Sequence, residues 1–243
     1  MIIWSLFDSG YGCYSQVFSK KEGVLNFSIG MDKEYGTSDH IEIDLSDLSG
    51  YFGKSEMIAK LETLPKPDVI IASPPCESWS VASAMPAGNA CWKHTKGNPF
   101  TIRESADYET VQFKQEKSFY NRMNGELTVF NLVKIIRHFK PAVFIIENPA
   151  YGKIWEYITR VLDFELPFEN LTYYNNYGFA IKKPTRFSSN IDLHLHKDKL
   201  PNKYAFNKAS RKGGSYNVRS NIPLPLIEDI YTQLENHFKE VVL

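Results

Sequence analysis

Apolar residues along the chain form short runs that end in polar, glycine-containing or proline-containing turns. Five runs have the length of buried strands: IIWSLF, VLNFSIGMD, HIEIDLSDL, DVIIASPP and PAVFIIENP. Between them lie three segments with helical spacing: CYSQVFSKKE, SEMIAKLETL and ELTVFNLVKIIRHF. Strands that alternate with helices predict an α/β fold with a doubly wound, mostly parallel sheet. Ligands of such sheets bind outside the carboxyl ends of the strands, so residues that follow strands are the first candidates for a site.

Two segments depart from this alternation. From Ala84 to Gly125 the chain has no clear period, which predicts a long loop or lid that contains at most one helix. From about Ile191 to Tyr216 it is polar and basic and forms a candidate subdomain. The segment PLPLIEDIYTQLENHFKEVV then predicts a closing helix with one apolar face, formed by Leu226, Ile230, Leu234 and Phe238.

Composition limits the class of protein. The chain has 243 residues, 43% of them hydrophobic and 23% charged, as expected for an ordinary globular domain with a full core. No apolar run approaches the length of a membrane span, and MIIWSLFDSGYG lacks the features of a signal peptide, so we expect a cytoplasmic protein. Three scattered cysteines without a CxxC pair indicate a reducing compartment and no zinc site. His194 and His196 form an HxH pair without further ligands at suitable spacing, so we expect no bound metal.

The charge of the chain is unevenly distributed although the formal net charge is zero. The region 182–219 carries only the acidic residues Asp192 and Asp198 against ten basic residues: Lys182, Lys183, Arg186, Lys197, Lys199, Lys203, Lys208, Arg211, Lys212 and Arg219. Such a stretch is either a solvated basic face or a surface that binds a phosphate backbone.

A glycine-containing turn, FDSGYG from Phe7 to Gly12, follows the first strand and precedes a helix. Glycines at such a junction let the backbone approach a ligand closely, as a nucleotide-like cofactor requires. The second strand ends in GMD, which places Asp32 at the distance expected for a carboxylate that binds ribose hydroxyls. Asp44 closes the third strand and would accept a hydrogen bond from an adenine amino group. Each acid alone is compatible with an exposed loop, but the ordered set indicates an adenosine-containing cofactor.

The fourth strand ends in two prolines and a cysteine, within IIASPPCESWS. Pro74 and Pro75 stop the strand and hold Cys76 in a stiff turn. A free cysteine is most often a small buried hydrophobe, whereas this position presents the side chain, as a thiolate nucleophile requires. One strand later, Glu147 follows four apolar residues, so burial would raise its pKa and let it donate a proton. Cys76 and Glu147 together suit a substrate with a ring that is activated by addition of a thiolate and protonation of a ring nitrogen.

The segments FDSGYG, PPCESWS and ENP, in this order and at predicted strand ends, resemble the first, fourth and sixth motifs of the cytosine-carbon-5 DNA methyltransferases. The similarity covers roughly residues 1–190 and ends in YNNYGFAIKKPTRFSSN, which resembles the eighth motif, where a basic residue supports the active site. It returns faintly at VRSNIPLPL, which is similar to the ninth motif. The resemblance implies a Rossmann-like, S-adenosylmethionine-dependent methyltransferase fold.

This resemblance implies roles for individual residues. Cys76 would attack carbon 6 of a cytosine flipped out of duplex DNA, while Glu147 would protonate ring nitrogen 3. Carbon 5 would then take the methyl group of S-adenosylmethionine, and loss of its proton would expel the cysteine. The basic residue of the eighth motif would be Arg186 or, less directly, Lys183. The cofactor would contact Phe7, Asp8, Ser9, Gly10, Gly12, Asp32, Asp44 and Pro74, and the substrate would contact Pro75, Ser78, Ser80, Asn148 and Arg219.

The chain also departs from the family pattern. AIKKPTRF lacks the usual spacing of a glutamine and two arginines, and Pro149 replaces a valine. More residues separate Cys76 from Glu147 than the family pattern predicts, and the 84–125 segment accounts for the excess. This segment would be a lid or a recognition site. The tenth motif, which completes the cofactor pocket, is not visible. The helix that contains PLPLIEDIYTQL would take its place; otherwise the cofactor site is incomplete or a partner completes it.

We therefore expect a catalytic unit over residues 1–190 with an insertion at 84–125, a small target-recognition region over 191–216, and a segment over 217–243 that returns to the catalytic unit. The expected partner is double-stranded DNA, bound by a monomer, with a restriction endonuclease or a completing subunit as a further candidate. Transfer RNA is the alternative substrate. A non-catalytic module that binds DNA or a partner is the alternative of a different class.

Overall fold

The structure, a computed structural model, describes residues 1–31, 40–85, 91–93, 95, 97–109, 115–201 and 221–241. Three parts of the predicted site lie outside these ranges: Asp32, Arg219 and the portion of the basic region that follows Pro201.

A seven-stranded sheet lies at the centre of the described chain. Its strands are β1 (Ile2–Leu6), β2 (Leu25–Gly30), β3 (His40–Glu42), β4 (Val69–Ala72), β5 (Val143–Pro149), β6 (Leu171–Tyr173) and β7 (Pro184–Ser189). The strand order is β3-β2-β1-β4-β5-β7-β6. Strands β1 to β5 pair in parallel, and β7 runs antiparallel to both of its neighbours. The prediction of an α/β fold with a mostly parallel sheet is confirmed, and the first five strands are those of the five apolar runs.

The strand order changes direction beside β1. The chain first adds β2 and β3 on one side of β1, and it then returns to add β4 and β5 on the other side. Strands β1 and β4 are direct neighbours, with Leu6 opposite Ala72 at their carboxyl ends. Loops that leave neighbouring strands in opposite directions open a crevice, and this crevice is the usual ligand position of such sheets.

Helices cover both faces of the sheet. They are α1 (Cys13–Phe18), α2 (Glu56–Leu61), α3 (Val81–Ala84), α4 (Ser105–Glu109), α5 (Gln115–Phe139), α6 (Ile154–Glu156) and α7 (Leu224–Val241). Single 3₁₀ turns occupy Ser49–Phe52 and Tyr174–Tyr177, and a π-helical turn continues α6 over Tyr157–Val161. Among the described residues, no helix has the length and apolar character needed to cross a bilayer.

The alternation of side chains along each strand divides the apolar residues between two cores. Ile3 and Ile71 pack with α1 and α7 on one face, whereas Trp4 and Ile70 pack with α2 and α5 on the other. Strand β4 is apolar and buried at every position because both of its faces are covered.

Helix α7 closes the first core, as its sequence predicts. Leu226, Ile230 and Leu234 are fully buried, and Phe238 packs against the same cluster. The helix lies on α1, so the C-terminal segment contacts the element that follows β1.

Two features differ from the sequence prediction. Helix α5 begins at Gln115 instead of Glu126, and α4 precedes it, so the predicted loop is helical in part. The first turns of α5 lack an apolar stripe, since Phe119, Tyr120 and Met123 are exposed, and the periodicity signal is therefore missing there. Strands β6 and β7 were not predicted, because β6 has only three residues and β7, with the sequence PTRFSS, is largely polar.

Candidate active site

A crevice of about 470 Å³ opens at the carboxyl edge of the sheet, beyond the ends of β1, β2, β4 and β5. Its walls are the loops that follow these strands, together with part of α5. The structure brings ten of the predicted site residues together there: Phe7, Asp8, Ser9, Gly12, Asp44, Pro74, Pro75, Cys76, Glu147 and Lys183. These residues come from five segments: the turns after β1, β3 and β4, the end of β5, and the residue before β7.

The turn after β1 is built around one carboxylate. Asp8 is 5% exposed, and its Oδ2 accepts a hydrogen bond from the Ser15 hydroxyl of α1. A Cβ atom at Gly12 would lie 1.8 Å from Asp8 Oδ1, and one at Gly30 would lie 2.7 Å from the Asp8 backbone oxygen. Only glycine therefore fits at either position. These glycines make room for the turn itself and fix Asp8 in the crevice wall.

Asp44 lies on the opposite wall, two residues after β3, and is exposed. Its Oδ1 accepts hydrogen bonds from the Ser46 backbone nitrogen at 2.8 Å and the Ser46 hydroxyl at 2.6 Å. Leu45 and Met31 line the crevice near it. An apolar surface beside a carboxylate is a suitable environment for a nucleoside, whose base is flat and apolar and whose amino and hydroxyl groups donate hydrogen bonds.

Hydrogen bonds from Asn148 of β5 and from the backbone of Trp79 and Ser80 hold the turn that carries Cys76. The Asn148 side-chain amide donates to the Pro74 carbonyl at 2.8 Å, which ties this turn to the end of β5. The backbone nitrogens of Trp79 and Ser80 both donate to the Cys76 carbonyl at 3.0 Å. Cys76 itself is partly exposed and lines the crevice. The thiol is thus presented to the crevice from a rigid turn.

Glu147 faces the same crevice and is 8% exposed. Burial raises the pKa of its carboxyl above the ordinary value of 4.5, whereas Lys183 and hydrogen bonds from Ser73 and Tyr174 act in the opposite direction. The Tyr174 hydroxyl lies 3.3 Å from Glu147 Oε1. Glu147 is therefore an acid that can exist protonated and still has hydrogen-bond donors for its ionised form.

Lys183 is the basic residue that the structure places in the crevice. Its Nζ lies 4.5 Å from the centre of the Tyr174 ring, and it interacts electrostatically with Glu147 and Cys76. Burial lowers the pKa of the Lys183 ammonium, and the charges of these two residues oppose that change. A cation at this position favours a thiolate at Cys76.

Arg186, the first choice for the basic residue in the sequence, lies on the other face of the sheet. In the β5–β7 pairing Phe187 is opposite Glu147, and Arg186 is opposite Asn148. Neighbouring residues of a strand point to opposite faces, so Arg186 points away from Glu147. Its guanidinium lies 4.5 Å from the Trp155 ring and 3.0 Å from the Glu169 carboxylate. The structure thus places Arg186 away from the crevice.

No protein-family model matches the chain. No curated protein matches it significantly either.

Four other predicted residues do not line the crevice. Gly10 has a positive φ of 79° and shapes the turn after β1. Ser78 is 2% exposed and donates its hydroxyl hydrogen to the Asn121 carbonyl of α5, so it anchors the Cys76 turn to that helix. Ser80 precedes α3. Asn148 is fully buried and contacts the crevice wall through its hydrogen bond to Pro74.

The structure adds crevice residues that the sequence did not single out. Ser73 directly precedes the two prolines, and its position at a strand end is a signal that could have identified it. Cys13 and Tyr14 open α1, and burial raises the pKa of both groups, so the Cys13 thiol and the Tyr14 hydroxyl remain protonated. Tyr174, from the 3₁₀ turn after β6, is fully buried and does not line the crevice, but its hydroxyl contacts Glu147, and no feature of the sequence indicates this role.

A second cavity of about 530 Å³ lies near the amino ends of β1 and β2, lined by residues that include Met1, Gly23, Tyr231 and Phe238. The crevice differs from it because a thiol, a buried acid and a cation converge there, as expected of a reactive site. Within the described ranges, no group of three or more histidine, cysteine, aspartate or glutamate residues is arranged to hold a metal ion.

Proposed function

We propose that the protein is a DNA cytosine-5 methyltransferase that uses S-adenosylmethionine as its methyl donor. One observation carries the proposal: Cys76, Glu147 and Lys183, from three separate segments, line a single crevice at the carboxyl edge of the sheet. A nucleophile, a buried acid and a nearby cation are the groups that addition to a cytosine ring requires. The motifs around Cys76 and Glu147, which resemble those of the cytosine-carbon-5 methyltransferases, support the same reaction.

The residues opposite Cys76 suit the cofactor. Asp44, Leu45 and Met31 would hold its adenosine part, and the turn from Phe7 to Gly12 would border its methionine part. When bound, S-adenosylmethionine supplies an electrophilic methyl group.

Cys76 would act as the nucleophile. Its thiolate forms a bond to carbon 6 of cytosine, and Glu147 gives its proton to ring nitrogen 3, so that negative charge does not accumulate on the ring. Lys183 stabilises the thiolate before attack by its positive charge. After methylation, carbon 5 loses its proton and the bond between Cys76 and carbon 6 breaks. Ring nitrogen 3 returns its proton to Glu147 and the proton of carbon 5 passes to solvent, so the cycle ends with Cys76 as a thiolate and Glu147 as the acid.

Double-stranded DNA is the proposed substrate. The target carbon lies within the base stack, so the nucleotide must be flipped into the crevice, at a cost of a few kcal/mol in lost stacking and pairing. In the described part of the basic region, Lys197 and Lys199 are exposed and suited to phosphate contacts. The crevice is open at the sheet edge, which gives a flipped base access to Cys76.

The decisive experiment is covalent trapping. We expect the protein to form a denaturation-resistant complex with duplex DNA that contains 5-fluorocytosine when S-adenosylmethionine is present, because the fluorine replaces the proton whose loss would release Cys76. Cys76→Ala should abolish the complex. Cys13→Ala is the matched control, since Cys13 is a second thiol of the same crevice.

A complex that survives Cys76→Ala would contradict the role of this thiol. If the protein forms the complex with fluorinated transfer RNA but not with DNA, transfer RNA replaces DNA as the proposed substrate. If it forms no complex with either nucleic acid, the proposed reaction is contradicted.

A further inference from the structure

Glu147 belongs to a chain of hydrogen bonds that passes below the crevice. The Tyr14 hydroxyl lies 2.6 Å from the Ser73 hydroxyl, and Ser73 hydrogen-bonds to Glu147. From the other side, the Tyr174 hydroxyl donates to Glu147 Oε1 at 3.3 Å. Tyr14 and Tyr174 are 2% and 0% exposed. The carboxyl group is therefore held between hydroxyls that come from separate parts of the chain.

Tyr174 also contacts the cation of the site. Lys183 Nζ lies 4.5 Å from the centre of its ring, a distance at which the ring face attracts an ammonium group. The backbone of Tyr174 is fixed as well, since its nitrogen donates to the Lys182 carbonyl at 2.9 Å and its carbonyl accepts from Phe179 at 3.2 Å. A single rigid side chain thus contacts both the acid and the cation.

We propose that Tyr174 is a positioning residue of the active site: its hydroxyl orients the Glu147 carboxyl and its ring face holds the Lys183 ammonium beside Cys76. The inference rests on the proposed function, because that reaction gives Glu147 and Lys183 their roles. The sequence motifs assign no role to Tyr174.

The hydrogen-bond donors around Glu147 suit a residue that acts as an acid catalyst. An acid must give up its proton and regain it in every cycle, which works best when its pKa lies near the working pH. Burial raises the pKa of Glu147, whereas the donors Lys183, Ser73 and Tyr174 stabilise the carboxylate and oppose this rise. Burial and the charge of Glu147 raise the pKa of the Tyr174 hydroxyl, so Tyr174 stays protonated and remains a donor.

A titration of Glu147 tests the contact directly. In protein labelled with carboxyl-¹³C glutamate, the Glu147 resonance is identified by its loss in Glu147→Gln. We expect Tyr174→Phe and, separately, Ser73→Ala to move the titration of this resonance to higher pH, because each removes a donor to the carboxylate. Tyr173→Phe is the matched control: Tyr173 is the adjacent residue, is 6% exposed and carries Lys182 over its ring at 4.2 Å.

The same variants are then tested in the trapping reaction with fluorinated DNA. Tyr174→Phe should slow complex formation about tenfold at neutral pH, the effect of one lost hydrogen bond to a charged group. Its rate should also decline at a higher pH than that of the wild type, a change that a merely structural role would not produce. Tyr173→Phe should resemble the wild type in both respects.

The outcomes separate this inference from the proposed function. An unchanged Glu147 titration in Tyr174→Phe, with the variant folded, would overturn the positioning role even if the wild type traps DNA. If the wild type does not trap nucleic acid, the proposed methyltransferase function is contradicted. The contact between Tyr174 and Glu147 then has no catalytic role.

Discussion

Two adjacent lysines in the structure occupy similar positions with different surroundings. Lys182 lies 4.2 Å from the centre of the Tyr173 ring, and Lys183 lies 4.5 Å from that of Tyr174. Only Lys183 of the two lines the crevice with Cys76. The two lysines lie in a turn and not in an extended segment, since Lys183 directly precedes β7 and has a positive φ of 31°.

This pair provides a test of the cation. We expect Lys183→Met to slow covalent trapping of fluorinated DNA by about tenfold or more, because the thiolate loses a favourable charge. Lys182→Met removes the same charge one residue away and should change the rate by less than about twofold. Rates are compared at saturating DNA so that weaker phosphate binding does not enter. Equal losses in the two variants would contradict the assignment of Lys183.

The raised pKa of Glu147 also affects folding stability. Because the folded state holds this proton more tightly than the unfolded chain, the stability that protonation provides is complete below the ordinary pKa of 4.5 and is lost as the pH rises through the folded-state pKa. Glu147→Gln cannot ionise, so we expect its free energy of unfolding to rise relative to that of the wild type across this range.

Urea denaturation from about pH 4 to about pH 8 measures the difference between the two proteins. Glu165→Gln removes an exposed carboxyl group and serves as the control. A difference between Glu147→Gln and the wild type that does not vary with pH would contradict the raised pKa.

At the scale of elements, an aromatic cluster joins the 84–125 segment to the Cys76 turn. Trp79, three residues after Cys76, is fully buried and stacks on Trp92 with ring centres 6.1 Å apart. Phe100 packs edge-on against Trp92 at 5.8 Å. Arg103 donates to the Met85 carbonyl at 2.6 Å and so fixes the start of the same segment. The described part of the 84–125 segment therefore packs against the Cys76 turn.

Trp92→Ala should lower the free energy of unfolding by about 3 kcal/mol or more, because it leaves a cavity beside Trp79. Phe119→Ala removes a ring that is 55% exposed in the same segment, so it should cost less than about 0.5 kcal/mol. Urea denaturation measures both values. A loss in Trp92→Ala as small as that of the control would show that the segment does not support the turn.

The sequence predicted the parts of the site that follow buried strands and missed the parts that depend on tertiary pairing. Apolar runs locate β1, β4 and β5. Asp8 and Cys76 lie in the turns after β1 and β4, and Glu147 lies near the end of β5. Strands β6 and β7 leave only a weak pattern, because β6 has three residues and β7 is largely polar. The choice between Arg186 and Lys183 depends on which face of the sheet β7 presents, and this is set by its register with β5. No local pattern encodes that register.

At the scale of the whole molecule, the crevice collects residues from Phe7 to Ile222, and few of its contacts are local. Strand β7 lies between β5 and β6 although it follows both in the chain. Until β7 is in place, β5 has an unpaired edge, and Lys183 has no fixed position.

Because β7 follows β5 and β6 in the chain, it is also made after them during synthesis. A domain that emerges from the ribosome presents its N-terminal strands first. Cys76 and Glu147 are made before Tyr174 and Lys183, so a chain that is still being translated holds the thiol and the carboxyl group without the tyrosine and the lysine beside them. Under the proposed function, insertion of β7 would be the event that makes the nascent chain reactive.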